Sequence, residues 1–125
     1  MLGDKELKAF VPTTNPKKAK KFYKDILGLE FMYEDDYALE FNANGTVLRI
    51  AIVPELSPQP FTVLGWNVDD IVSTIESLNK QEVFCEQFEF LEQDDLGIWN
   101  APSGTKVAWF KDPDENILSL TELGS

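Results

Sequence analysis

The hydrophobic and polar positions of this chain change period several times, and the changes come in the same order twice. Over residues 7–12 they alternate. Leu7, Ala9 and Val11 fall on one side and Lys8, Phe10 and Pro12 on the other, which is the period of a strand. Pro12 has no N–H for a ladder and marks the strand's end. Asn15 is then a helix N-cap, with Pro16 at the first helical position. A helix over residues 17–27 gathers Ala19, Phe22, Tyr23, Ile26 and Leu27 on one stripe and turns five lysines outward, and Gly28 closes it as a left-handed cap. Strands follow over residues 29–33, 37–41 and 47–53, with an Asn44-Gly45 turn joining the last two.

A proline-rich stretch, 54–60, separates this module from a second one. There a strand over residues 61–68 meets Asp69-Asp70, a capping pair for a helix that runs to about Lys80 with Ile71, Val72, Ile75 and Leu78 as its apolar face. Residues 83–90 alternate imperfectly and read as a strand, 92–96 as an acidic loop, and 97–102 as a short strand or a loop over the sheet. Residues 105–111 and 116–122 form a hairpin around Asp112-Pro113-Asp114-Glu115-Asn116. A shift of about 55 residues superposes the two copies, placing Lys8 on Val63 and Asn15 on Asp70. The architecture expected is α+β, βαβββ twice, in a single domain over residues 1–125. Module one covers about 5–53, the linker 54–60 and module two 61–123.

Composition narrows the possibilities. Hydrophobic residues at 43% and aromatics at 12% suffice for a packed core. No apolar run approaches the ~20 residues that span a bilayer, and the N-terminus carries no apolar signal core, so a cytoplasmic protein with no membrane partner is expected. A formal net charge of −11 argues against nucleic acid as a partner and reads as a solvated acidic surface. The chain has no histidine, which removes the usual neutral-pH base and the commonest transition-metal ligand. Its single cysteine, Cys85, lies between Glu82 and Glu86 with nothing to activate it, and reads as a core thiol rather than a nucleophile. Asp69-Asp70 is explained by capping, and Asp94-Asp95 lacks the oxygen ligands of a calcium loop. No glycine-rich phosphate loop or nucleophile elbow is present.

Two motifs carry a family resemblance: Ala19-x-x-Phe22-Tyr23-x-x-x-Leu27-Gly28-Leu29 after the first strand, and Trp109-Phe110-Lys111-Asp112-Pro113-Asp114-Glu115-Asn116 near the end. Over residues 7–123 the chain resembles the vicinal oxygen chelate superfamily of glyoxalase I, extradiol dioxygenases and bleomycin-resistance proteins, with Glu115 where that family usually has glycine. The resemblance implies curved, cup-like mixed sheets around a cavity, and a homodimer for a chain of this size. It also implies four metal-ligand positions, which fall here on Lys8, Arg49 or Ala51, Val63 and Ser119. An ammonium and a guanidinium offer no lone pair and Val63 no donor atom, so the family metal is expected to be absent, with no other cofactor and no catalytic residue assigned.

What remains is a pocket for a small organic ligand. Lys8 and Arg49 share one parity and would hold a carboxylate or phosphate, or else pair internally with Glu40. Phe10, Trp66, Trp99 and Trp109 would wall the pocket, beside Ser119, although aromatics of this kind also build cores and dimer interfaces. The function expected is metal-independent small-molecule binding that sequesters a drug or metabolite, in the manner of the bleomycin-resistance proteins, which Val11-Pro12 and Glu34-Asp35-Asp36 resemble. The alternatives are a metal-dependent lyase, isomerase or dioxygenase with displaced ligands, and an interaction domain without a ligand.

Overall fold

Each half of the chain pairs its first strand in parallel with its last. The computed structural model describes residues 1–124. In the first half these form β1 (Lys8–Thr13), α1 (Pro16–Lys21), β2 (Glu30–Glu34), β3 (Ala38–Ala43) and β4 (Thr46–Ile52). In the second they form β5 (Thr62–Asn67), α2 (Ile71–Lys80), β6 (Trp99–Asn100), β7 (Lys106–Lys111) and β8 (Ile117–Glu122). The chain divides into two compact units between Pro58 and Gln59. The two four-stranded sheets have the orders β1-β4-β3-β2 and β5-β8-β7-β6. Each is mixed, with the β1–β4 and β5–β8 pairs parallel and the rest antiparallel. No helix among the described residues is long and apolar enough to cross a membrane.

In the first unit the Asn15 carboxamide accepts from the Lys18 N–H at 3.1 Å and starts α1. The helix then widens into a π-helical turn over Phe22–Ile26, where the Leu27 N–H reaches the Phe22 carbonyl at 2.9 Å. The Leu29 N–H closes on the Tyr23 carbonyl at 3.0 Å across Gly28. This ending turns Phe22 and Tyr23 inward together. Tyr23 is fully buried, with its ring 6.1 Å from that of Phe41. The helix therefore covers the face of the sheet that carries Val11, Leu39, Phe41, Leu48 and Ile50, all buried. The other face carries Lys8, Phe10, Glu40 and Arg49, fixed there by register: Phe10 lies opposite Arg49, and Arg49 opposite Glu40. Asn44 and Gly45, with φ of 51° and 94°, make the two-residue turn between β3 and β4.

In the second unit the Asp70 carboxylate accepts from the Ser73 N–H at 3.1 Å and caps α2. The Ile71 N–H donates to Glu122 Oε1 at 3.0 Å, which holds the start of α2 on the face that Glu122 shares with Leu118 and Leu120. Ala108, Phe110, Leu118 and Leu120 are buried on that face, together with Ile71, Ile75 and Leu78 of the helix. The opposite face presents Val107, Trp109, Ser119 and Thr121, joined by Trp99 of β6, which lies opposite Val107.

One expected element is not formed. Residues 83–90 are not a strand; the sheet edge is filled instead by the two-residue β6, within the stretch read as a short strand or loop. Glu82 turns the chain at φ 63°. Beyond it the Glu86 N–H bonds to the Trp109 carbonyl at 2.7 Å. The side-chain amide of Gln93 then takes over: Nε2 donates to the carbonyls of Glu86 and Gly97 at 2.9 and 2.8 Å, and Oε1 accepts from the Phe88 N–H at 2.7 Å. One amide side chain thus satisfies backbone groups that a neighbouring strand would otherwise take, and the segment stays a loop.

Candidate functional site

The first unit gathers its charges on the sheet face away from the helix. Lys8 Nζ lies 3.1 Å and Arg49 Nη1 2.8 Å from the same oxygen, Glu40 Oε2. These two cations hold the Glu40 carboxyl below its ordinary range, Arg49 contributing most. Next across the sheet, Tyr33 lies opposite Glu40 and donates its hydroxyl to Asp35 Oδ2 at 2.6 Å. Asp35 also caps the start of β3 by accepting from the Tyr37 and Ala38 N–H groups at 2.8 and 3.0 Å. Phe10 stands on the charged face with 60% of its surface exposed.

In the second unit the face away from α2 is aromatic. Trp99 and Trp109 have ring centroids 6.4 Å apart at an interplanar angle of 37°. Phe88 meets Trp109 edge-on at 5.6 Å, and Phe90 stacks on Phe88 at 5.5 Å while remaining 82% exposed. The loop that failed to become a strand thereby extends the two tryptophans into a chain of four rings. Beside Trp99 opens a pocket of about 500 Å³, lined by Gln87, Glu92, Gln93, Asp94 and Asn100 among others. Its wall is mostly polar and open to solvent, with Trp99 as its aromatic side. The pocket wall is preset: Asp94 Oδ1 accepts from the Leu96 and Ile98 N–H groups, each at 2.9 Å, and Gln87 Nε2 donates to the Asp94 carbonyl at 3.0 Å.

Trp66 differs from its expected place. Strand parity puts it with Leu120, on the α2 side, where it stacks on Phe110 at 6.5 Å and an interplanar angle of 22°. It belongs to the packing under α2 and not to the Trp99–Trp109 face. Ser119 lies on the aromatic face, opposite Trp109 and beside Gly65. A Cβ on residue 65 would come within 2.5 Å of Ser119 Oγ, so glycine there leaves the serine hydroxyl its place. Phe88 and Phe90 were not legible as site residues because they sat inside the expected strand; their even spacing with Phe84 was the available signal. Gln93 had none, since its role depends on how the loop folds back to bring three backbone groups, four to seven residues away, around one amide.

The residues at the four expected metal positions do not fit a divalent ion. Lys8 and Arg49 are cations bound to Glu40, Ala51 has no donor, Val63 falls at a register shift in β5, and Ser119 is a neutral hydroxyl. Among the described residues no group of three or more His, Cys, Asp or Glu side chains could hold a metal.

Cys85 packs under Gly97, and burial, followed by the charges of Glu86 and Asp94, pushes its thiol up to about 11. The expected result is slow alkylation. At pH 8 the native thiolate fraction falls about 100-fold below that of an ordinary cysteine, and iodoacetamide labelling timed by mass spectrometry, with and without urea, checks it.

Comparison with known proteins places these two units. A family profile described as the Glyoxalase/Bleomycin resistance protein/Dioxygenase superfamily matches residues 7–120. A search of curated proteins finds no match. Among solved structures, a glyoxalase family protein from Enterococcus faecalis is 25% identical, over 98% of this chain and 100% of that one, with a TM-score of 0.71. TnmS3, an antibiotic binding protein from Streptomyces sp. CB03234, is 22% identical, over 99% of each chain, with a TM-score of 0.76. A lactoylglutathione lyase from Agrobacterium tumefaciens is 16% identical, over 95% of this chain and 93% of that one, with a TM-score of 0.73.

Proposed function

The chain belongs to the glyoxalase/bleomycin resistance protein/dioxygenase superfamily, and on that premise we propose that it binds a small organic molecule without a metal and catalyses no reaction on it. The observation that carries the proposal is the run of rings Trp99–Trp109–Phe88–Phe90 on one face of the second sheet, beside the 500 Å³ pocket. Rings held in place by a sheet and a bonded loop offer stacking area at little ordering cost. Ser119, on the same face, supplies a hydroxyl for a polar group of the ligand. A donor set unfit for the metal of the family's enzymes supports sequestration of a drug or metabolite over turnover; an antibiotic binding protein shares the fold. The proposal extends to a homodimer in the cytoplasm, the arrangement the family resemblance implies for a chain of this length.

The test reads the tryptophans directly. Chelator-treated protein titrated with a panel of planar aromatic compounds, antibiotics included, is expected to show saturable quenching or a blue shift of tryptophan emission. Trp109→Ala is expected to weaken that binding about fivefold or more, since base-like rings stacked on aromatics contribute roughly 1–3 kcal/mol each. Emission unchanged across the panel, or unchanged affinity in Trp109→Ala, would remove the proposal.

A further inference from the structure

The charge cluster of the first unit is built differently from a closed ion pair. Two cations converge on one carboxylate oxygen, Glu40 Oε2, at 2.8 and 3.1 Å, and neither makes another ion pair among the described residues. Lysine has three N–H donors and arginine five in a planar fork, so one shared oxygen leaves most of that capacity unspent. The ion pair itself sets two cations against one carboxylate, with the Asp35 carboxylate, which Arg49 also stabilises, held by Tyr33 next across the sheet. Beside the cluster stands an apolar surface. Phe10 is the cross-strand partner of Arg49 on the same face and is 60% exposed. Arg49 and Glu40 are more sheltered, at 27% and 18% side-chain exposure.

From this arrangement we infer that Lys8, Arg49 and Phe10 form a binding site on the first sheet for an aromatic monocarboxylate, with Glu40 setting its affinity as an internal competitor. The ligand's carboxylate takes the donors that Glu40 leaves, in the two-point geometry a guanidinium favours. Its ring lies against Phe10. A single negative charge adds the least repulsion against Glu40; a phosphate dianion would bring a second negative charge up against it. The site's residues all belong to the first unit, and the inference does not rest on the aromatic face of the second binding anything.

Calorimetric titration at low ionic strength tests it, with 2-naphthoate as the probe and acetate and inorganic phosphate as controls. The expected result is saturable binding of naphthoate, with acetate and phosphate each at least tenfold weaker. Arg49→Met weakens naphthoate at least tenfold and Phe10→Ala severalfold. Glu40→Gln, which removes the competitor's charge, tightens it three- to tenfold. That increase is the discriminating result, because a purely structural ion pair gives no reason for it. Naphthoate binding is expected to persist in Trp99→Ala, which separates this site from the aromatic face. Failure of naphthoate to bind both the wild type and Glu40→Gln, or weaker binding in Glu40→Gln, would overturn the inference. Circular dichroism confirms that each variant is folded; if Arg49→Met is not, Glu40→Gln alone decides.

Discussion

Asp112→Ala is expected to lower stability by about 3 kcal/mol, since hydrogen bonds to a charged group contribute roughly 1.5–3 kcal/mol and buried donors left unpaired add their own cost. Asp112 is only 5% exposed, and its side chain organises the turn between β7 and β8. Its Oδ1 accepts from the Asp114 and Asn116 N–H groups, and its Oδ2 from the Asn116 side-chain amide, all at 2.9 Å. Alanine removes the acceptor of three donors, two of them on Asn116, itself buried. Asp112→Asn keeps a carbonyl oxygen for the two backbone donors and is expected to lose about half as much. Urea melts of the three proteins check the order. The turn joins the strands that carry Trp109 and Ser119, so the loss also loosens the aromatic face.

Gly97→Ala is expected to cost about 2–4 kcal/mol, from two sources that add at one atom. Gly97 has φ 94°, which an L side chain rarely adopts, and its new Cβ would sit 2.7 Å from the Cβ of Cys85. The Gly97 carbonyl also receives one of the Gln93 bonds that hold the loop. Strain there spreads through Gln93 to Phe88, whose N–H bonds to the same amide. A thermal melt should fall by about 10 °C, given roughly 3–6 °C per kcal/mol for a domain of this size. Cys85 should alkylate faster than in the wild type, because the same displacement uncovers it. A stable variant with unchanged labelling would show that the loop is not held through Gly97.

The parts of this fold legible in the sequence are those decided by near neighbours. Asn15 and Asp70 cap their helices through bonds to residues three further on, and Asn44-Gly45 forces its turn by backbone preference alone. The α+β order of elements followed from the same local signals, and the structure bears it out, matching a glyoxalase-fold protein from Bacillus anthracis at a TM-score of 0.74. The candidate site was only partly legible. Pairing of Lys8 and Arg49 with Glu40 needed parity along three strands, which the alternation supplied. Trp66 was assigned by residue type, although its shared parity with Leu64 already placed it away from Gly65 and Ser119. The loop after α2 was misread for a different reason. Alternation over residues 83–90 is a real strand signal, but Gln93, outside that window, saturates the backbone groups that strand pairing needs. The four-ring face depends on that side-chain choice, which hydrophobic alternation does not contain.

Binding without a divalent metal is the central claim, and one measurement tests it most directly. Chelator-treated protein is titrated with Ni(II), Zn(II), Mn(II) and Fe(II) in thermal melts, beside the aromatic compound that gives the strongest tryptophan response. A ligand that binds only the folded state raises its stability by RT ln(1 + [L]/Kd), about 2.7 kcal/mol at a hundredfold excess over Kd. The account predicts that shift with the aromatic compound, the same with and without chelator, and none with any of the four ions. A metal-dependent rise in melting temperature, or aromatic binding that appears only once a metal is added, would contradict it and return the chain to the metal-dependent enzymes of its superfamily.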